Sequence, residues 1–183
     1  TRLDVEPQYQ VAVDADQMRL TAHLLYKVRG AKVSQVQVQL GGWELDDIGP
    51  AGVVHPAGAV PGENGLLTIP LAQRMRSTFE LTITAKRPLA SSTRRVDFSL
   101  PSVTADVIAP PVLVIESADN VDLMPVEPEL SQLTPRSGGP PATMKIEKRR
   151  HPPLVYRALG EGREARFVAD RTLRAREMTA EST

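Results

Sequence analysis

Strict alternation of apolar and polar residues over positions 18–28 is the feature that most constrains what this chain can fold into. Every even position is apolar and the odd positions are polar, with Leu25 alone out of phase. Successive side chains of a β-strand point to opposite faces, so this segment has one dry face and one wet face. The same period of two recurs at 36–40, 67–71 and 79–85. The chain is therefore predicted to be mainly β, with two packed antiparallel sheets of immunoglobulin-like or related sandwich type.

Three further segments give more specific predictions. The odd positions of 3–13 are apolar except for Pro7, which has no backbone N–H, and this predicts an edge strand or two short strands. Residues 30–32 are predicted to turn the chain, so that the strand at 36–40 forms a hairpin with 18–28. The continuous apolar run at 112–115 predicts a strand that is buried on both faces.

Composition divides the chain into a β-sandwich domain over 1–134, a loop or linker over 135–143, and additional strands over 144–183. The middle segment holds three prolines and a Ser-Gly-Gly run, which is typical of loops. The last segment either completes the sheet or starts a following module. Its Ala, Arg and Glu content favours a helix over 163–183, whereas alternation at Ala165, Phe167, Ala169, Leu173 and Ala175 favours a strand. We predict a strand.

Charge and composition narrow the partners and the chemistry. The 22 basic and 22 acidic residues give a net charge of +0, which argues against a dedicated nucleic-acid-binding protein. Cysteine is absent, which excludes thiol catalysis, disulfides and Cys-ligated zinc. No apolar run approaches the ~20 residues of a membrane helix, so membrane insertion is not expected. Because the chain starts at Thr1 without an initiator Met or signal peptide, we expect a piece of a longer precursor.

No group of residues predicts a catalytic or metal site. The three histidines, His23, His55 and His151, have no metal-ligand spacing and are expected to be ordinary surface side chains. The carboxylate pairs Asp14/Asp16 and Asp46/Asp47 lie in predicted turns, where turn chemistry explains them more simply than calcium does. The loop hydroxyls, which are Ser91, Ser92, Thr93 and Ser137, lack a nucleophile-elbow motif. We therefore predict no catalytic residue, no metal ligand and no cofactor.

Two further features each have a plain and a functional interpretation. The carboxy-terminal part is rich in basic residues, which are expected to cover a solvated strand face, with a patch for an acidic polymer or lipid headgroups as the minor alternative. Its members are Lys145, Lys148, Arg149, Arg150, Arg157, Arg163, Arg166, Arg171, Arg174 and Arg176. The lone tryptophan, Trp43, is predicted to anchor the core, although an exposed ring would suit sugar stacking.

The stretch from position 20 to 48 resembles the opening of the amino-terminal β domain of zinc aminopeptidases. The matching segments are 21–28, 36–40 and the Gly-Trp-Glu-Leu corner at 42–45. The peptidase signature H-E-x-x-H is absent, so the resemblance implies no catalytic residue in this chain. More broadly, the chain is similar to β-sandwich modules of large bacterial envelope proteins. That similarity implies an architecture and an extracytoplasmic location, periplasmic or secreted.

These observations favour a non-catalytic structural or interaction module of a larger extracytoplasmic bacterial protein. Its expected partners are neighbouring domains of the same precursor or another protein. Two alternatives remain open. One is a carbohydrate-binding module that uses Trp43 or the loop at 49–62, and the other is an accessory β domain of a peptidase. A buried Trp43 would favour the structural module over the carbohydrate-binding one.

Overall fold

The computed structural model describes residues 1–174, and its regular structure consists of strands and two single-turn 3₁₀ helices, at Glu63–Gly65 and Glu127–Glu129. The strands are β1 (Arg2–Val13), β2 (Gln17–Arg29), β3 (Val33–Gln39), β4 (Glu44–Gly49), β5 (Val60–Pro61), β6 (Leu66–Met75), β7 (Phe79–Pro88), β8 (Arg95–Ser99), β9 (Ser102–Val103), β10 (Val107–Ile108), β11 (Val112–Ser117), β12 (Val121–Pro125), β13 (Leu133–Pro135), β14 (Leu154–Ala158) and β15 (Arg166–Leu173). Within residues 1–174, no helix has the length and apolar character that crossing a membrane requires.

The strands form one large sheet and two smaller ones. The large sheet has eight strands in the order β13-β14-β11-β1-β2-β7-β4, with β10 also paired to β1. The smaller sheets have the orders β12-β15-β8 and β5-β6-β3-β9. All pairs are antiparallel except β1 with β10 and β1 with β11, which are parallel. The predicted mainly β class is therefore confirmed, and the sheets are consistent with a sandwich.

The dry faces of all three sheets meet in one hydrophobic core. The even positions of β2 from Met18 to Val28 are buried, as the alternation predicts. An aromatic chain joins the large sheet to β8 and β15, because Trp43 contacts Phe98, Phe98 contacts Phe167, and Phe167 contacts Tyr156 at centroid separations of 5.4–5.8 Å. Burial of these period-two faces is the main source of stability in such a fold.

The prediction of an edge strand or two short strands at 3–13 is wrong. β1 is continuous and lies inside the sheet, between β2 and β11. The carbonyls of Val5 and Val13 accept hydrogen bonds from Ala109 and Ala118, so the polar backbone groups of odd residues point away from β2. The backbone nitrogen of Pro7 also points away from β2. Pro7 lies between Val5, the last residue of β1 paired with β10, and Gln8, the first paired with β11. Its missing N–H therefore interrupts no ladder.

The predicted hairpin between 18–28 and 36–40 is also wrong. β2 pairs with β1 and β7 in the large sheet, whereas β3 pairs with β6 and β9 in another sheet. Both strands are amphipathic, and Val36 and Val38 are buried in the same core as β2. The turn after Arg29 therefore carries the chain from one sheet to the sheet that faces it.

The run at 112–115 is buried on both faces, as predicted, because an irregular segment covers its outer side. Residues 136–153, all of them within the described part of the chain, contain no strand. We call this segment the strap. Met144 of the strap is buried against Val112 and Val114 on the outer face of β11, and Ile146 and Val155 pack beside it. The additional strands predicted over 144–183 therefore begin later than predicted, because Met144 and Ile146 pack against the sheet from an irregular backbone.

The carboxy-terminal alternation is a strand over Arg166–Leu173, which pairs with β8 and β12. Phe167 and Ala169 lie in the core at 0 % exposure, as a strand with a dry face requires. Residues 175–183, including Ala175 and Arg176, lie outside the described residues. Strands β14 and β15 thus pair with strands from 1–134, and the proposed domain boundaries at 135–143 and 144–183 stay predictions.

Candidate functional site

A cavity lined by seven charged side chains lies on the outer face of the large sheet. Two rows of residues cross the strands there, and directly opposed residues sit ~4.8 Å apart between strands. One row is Glu116, Ala12, Arg19, Lys86 and Glu44, on β11, β1, β2, β7 and β4. The next row is Val114, Gln10, Thr21, Thr84 and Asp47. Arg19 and Lys86, two cations, are therefore direct cross-strand neighbours.

The strap closes one side of this surface and makes it a cleft. The Gln10 side chain donates from Nε2 to Glu116 Oε1 at 2.5 Å and to the Lys145 carbonyl at 3.0 Å, so it ties the strap to β1 and β11. Lys145, Glu147 and Arg149 then line the cleft opposite Arg19 and Lys86. The cleft has a volume of about 540 Å³, and we call it the outer-face cleft.

The charges in the outer-face cleft are only partly neutralised. Its basic side chains are Arg19, Lys86, Lys145 and Arg149, and its acidic ones are Asp46, Glu116 and Glu147. Glu147 pairs with Arg149 at 2.6 Å, and Asp14 approaches Arg19 at 3.8 Å. Within residues 1–174, Lys86 and Lys145 form no ion pair. Lys86 from the sheet and Lys145 from the strap therefore point cationic groups at the cleft from two directions, with Glu44 as the cross-strand neighbour of Lys86 on β4.

A smaller cleft of about 280 Å³ lies on the other side of the strap, where Thr143 and Met144 face His23. His23 occupies the wet face of β2, as predicted, but the strap leaves it only half exposed. Burial lowers the pKa of His23, and the nearby carboxylate of Glu80 opposes that shift. We expect a neutral imidazole at pH 7, which accepts or donates a hydrogen bond but provides no positive charge.

The three histidines lie in separate places. His55 is in the loop after β4, where its Nδ1 accepts the Ala57 amide at 3.0 Å. His151 is at the end of the strap, and its Nε2 lies 2.6 Å from Asp122 Oδ1. Among residues 1–174, no three His, Asp or Glu side chains are placed so that they could hold a metal ion.

Asp14 and Asp47 form local hydrogen bonds, one in a turn and one on an edge strand of the large sheet. The amide of Asp14 donates to the Gln17 carbonyl, which closes the turn between β1 and β2. Asp47 Oδ1 accepts the amide of Ile48 at 2.9 Å on strand β4. The Asp47 bond is made by the aspartate side chain, but Asp46 and Asp47 lie on strand β4, so the prediction that this pair lies in a turn is wrong. The Asp14 bond is made by the backbone amide, which any residue other than proline could provide. Asp46, at the bulge in β4, is the member of the pairs that lines the outer-face cleft.

Trp43 is part of the core, and its ring is covered. Its exposure is 6 %, and its Nε1 donates to the Ser99 carbonyl at 3.3 Å. The Arg87 guanidinium lies over the ring at 4.9 Å from the centroid, in cation–π geometry. The prediction of a core tryptophan is confirmed, and the ring presents no open face on which a sugar could stack.

Arg171 contradicts the prediction that the carboxy-terminal basic residues cover a solvated face. Its exposure is 3 %, and its guanidinium donates to the carbonyls of Asp14, Ala15, Ala90 and Thr93 at 2.8–3.0 Å. Burial lowers its pKa from the usual arginine value, although arginine stays protonated at neutral pH. It joins the β1–β2 turn to the β7–β8 loop. The alternation in the sequence already indicated that Arg171 points inward, because 171 is an odd position, as are the buried Phe167 and Ala169.

Comparison with known proteins supports the fold and leaves the family open. No family model and no curated protein matches this chain. Among solved structures, the chain is similar to the M1 zinc metallopeptidase from Deinococcus radiodurans, with a TM-score of 0.55 and 12 % sequence identity. The match covers 92 % of this chain and 42 % of that chain, so this chain spans less than half of its neighbour's length. At this identity, the likeness shows a shared fold.

Proposed function

We propose that this chain is a non-catalytic β domain that packs against the other domains of a larger protein, as an accessory β domain of a zinc peptidase does. The observation that supports this proposal is the asymmetry of the structural match, which covers 92 % of this chain but 42 % of the metallopeptidase chain. The matched part would be the amino-terminal β domain, in agreement with the resemblance at 20–48. The sequence contains no H-E-x-x-H motif, so the zinc chemistry would belong to another domain.

The carbohydrate-binding alternative has less support. Its aromatic candidate, Trp43, is buried under Arg87. Its other candidate is the loop at 49–62, which contributes to a cavity of about 410 Å³. Among the described residues that line that cavity, the imidazole of His55 is the one aromatic ring, and no Trp, Tyr or Phe is present. The loop therefore offers little surface for stacking against a sugar.

Assays of the isolated chain test the non-catalytic part of the proposal. Aminoacyl-nitroanilides and short peptides, with and without added Zn²⁺, are expected to show no turnover above a buffer blank. A zinc aminopeptidase assayed in parallel provides the positive control. Turnover that copurifies with the folded chain and disappears on unfolding would contradict the proposal.

Docking is tested with the natural open reading frame, which we expect to encode further domains and an export signal. The remaining domains, produced separately, should form a one-to-one complex with this chain in analytical ultracentrifugation. Cell fractionation should recover the full protein outside the cytoplasm. A reading frame without a further domain, or domains that sediment independently of this chain, would overturn the docking role.

A further inference from the structure

We propose that the outer-face cleft binds a phosphate group, either as free phosphate or as a phosphate monoester. The first argument is the cross-strand neighbourhood of Arg19 and Lys86 on β2 and β7. Like charges directly opposed on a sheet face repel each other. A multivalent oxyanion between them would convert this repulsion into two charge-assisted interactions.

The second argument is that cations reach the same space from the opposite side. Lys145 and Arg149 of the strap line the cleft together with Arg19 and Lys86. The hydrogen bond from Gln10 to the Lys145 carbonyl sets the position of the strap at this point, and buried Met144 anchors the preceding residue. The four cations thus belong to two layers of structure that are held in register, an arrangement that suits a tetrahedral anion.

The third argument is that three of the carboxylates in and around the cleft already have hydrogen-bond or ion-pair partners. Glu116, at 8 % exposure, accepts from Gln10, and Glu147 pairs with Arg149. Asp14 approaches Arg19 at the longer distance of 3.8 Å. Lys86 and Lys145 remain without an ion pair within residues 1–174. On the β4 side, Asp46 lines the cleft and Glu44 is the cross-strand neighbour of Lys86. Because these two carboxylates lower the local positive potential, we expect millimolar affinity.

The size and lining of the cleft favour phosphate over a halide or a nonspecific counterion. Its volume of about 540 Å³ exceeds that of a phosphate ion and leaves room for the substituent of a monoester. The floor includes Ala12, whose small side chain leaves space above β1, and Thr21, whose hydroxyl adds a neutral donor. This site is independent of the proposed docking role, because it needs no other domain.

Titration calorimetry and thermal melts in millimolar inorganic phosphate, with ionic strength held constant by sodium chloride, test the proposal. We expect phosphate to raise the melting temperature of the wild type, since a ligand bound by the native state alone stabilises it. Lys86→Gln and Lys145→Gln should each weaken binding roughly tenfold, as expected for the loss of one charge-assisted contact. Lys27→Gln, an exposed lysine on the same face of β2, should bind like the wild type.

The outcomes separate the possible sources of any effect. Equal phosphate responses in all four proteins, or a response that sodium chloride reproduces, would overturn the site. Loss of binding in Lys86→Gln alone would overturn the contribution of the strap. Glycerol phosphate binding more tightly than inorganic phosphate would support a monoester, and weaker binding would support the free ion. An intact isolated chain that binds phosphate but fails to dock would leave this proposal supported and the docking role refuted.

Discussion

At the residue scale, Arg171 shows how a charged side chain can hold loops together from inside the protein. Its guanidinium donates to four backbone carbonyls that lie in the β1–β2 turn and the β7–β8 loop. A hydrogen bond that involves a charged group contributes about 1.5–3 kcal/mol to stability, and Arg171 is itself buried. The two loops therefore depend on one side chain contributed by β15.

We expect Arg171→Met to lower the free energy of unfolding by about 2–4 kcal/mol, because the methionine fills space but donates no hydrogen bond. The loss of stability in Arg171→Lys should lie between zero and the loss in Arg171→Met, because an ammonium has three donors but lacks the planar fork of the guanidinium. Urea denaturation measures both. Arg163→Met, at a side chain that is 65 % exposed, serves as the control. Equal small effects at both positions would show that the guanidinium contacts contribute little.

His23 predicts a pH dependence with a definite sign. Burial lowers its pKa in the folded protein, whereas the unfolded chain keeps a value of about 6.5. As the pH falls below that value, the unfolded state takes up protons first, so stability present at higher pH is lost towards pH 5. His23→Gln should therefore lose less stability than the wild type between pH 8 and pH 5 in urea denaturation. A constant difference between the two proteins across that range would contradict this.

At the element scale, the alternation along β7 separates core positions from surface positions one residue apart. Leu81 is fully buried, while Glu80 is exposed on the other face. Leu81→Ala should cost about 2–5 kcal/mol, as other large-to-small core changes do. Glu80→Ala should stay within about 0.5 kcal/mol. Comparable losses in denaturant melts would show that the two faces are not distinguished as described.

The strap is an element without regular structure, and its attachment is predicted to depend on Met144. Trypsin should cut the native chain first after Arg136, in the Pro- and Gly-rich part of the segment. In Met144→Ala, cleavage after Lys145 and Lys148 should become faster, because the buried anchor against Val112 and Val114 is lost. Mass spectrometry of timed digests identifies the cuts. Met124→Ala, at a residue that is 71 % exposed, should digest like the wild type.

At the scale of the whole molecule, stability should be independent of metal ions. The melting temperature is expected to stay constant with millimolar calcium, with zinc and with a chelator, because a ligand bound by the native state would raise it. Among the described residues, Asp14, Asp16, Asp46 and Asp47 form no cluster with metal-binding geometry. An increase of several degrees with calcium alone would contradict the prediction and direct attention to these aspartates.

The elements could be predicted from the sequence much better than the candidate site. Strands β2 and β7 follow from local alternation, and the doubly buried β11 follows from its apolar run. The outer-face cleft was not predicted, because its residues are ordinary surface side chains in each separate strand. Arg19 and Lys86 become neighbours through the register of β2 with β7, and the strap adds Lys145 and Arg149 from far along the chain.

The sequence by itself determined which residues are dry and which are wet, since side-chain direction in a strand alternates with every residue and needs no partner. It therefore determined the mainly β class and most of the core, while the burial of Trp43 was predicted from its large apolar surface. Only the tertiary structure decided which strands pair, because pairing depends on the closure of long loops and on competition between similar dry faces. For that reason Pro7 lies in an interior strand, β2 and β3 lie in different sheets, and Arg171 finds its carbonyl partners in two loops that are distant in sequence.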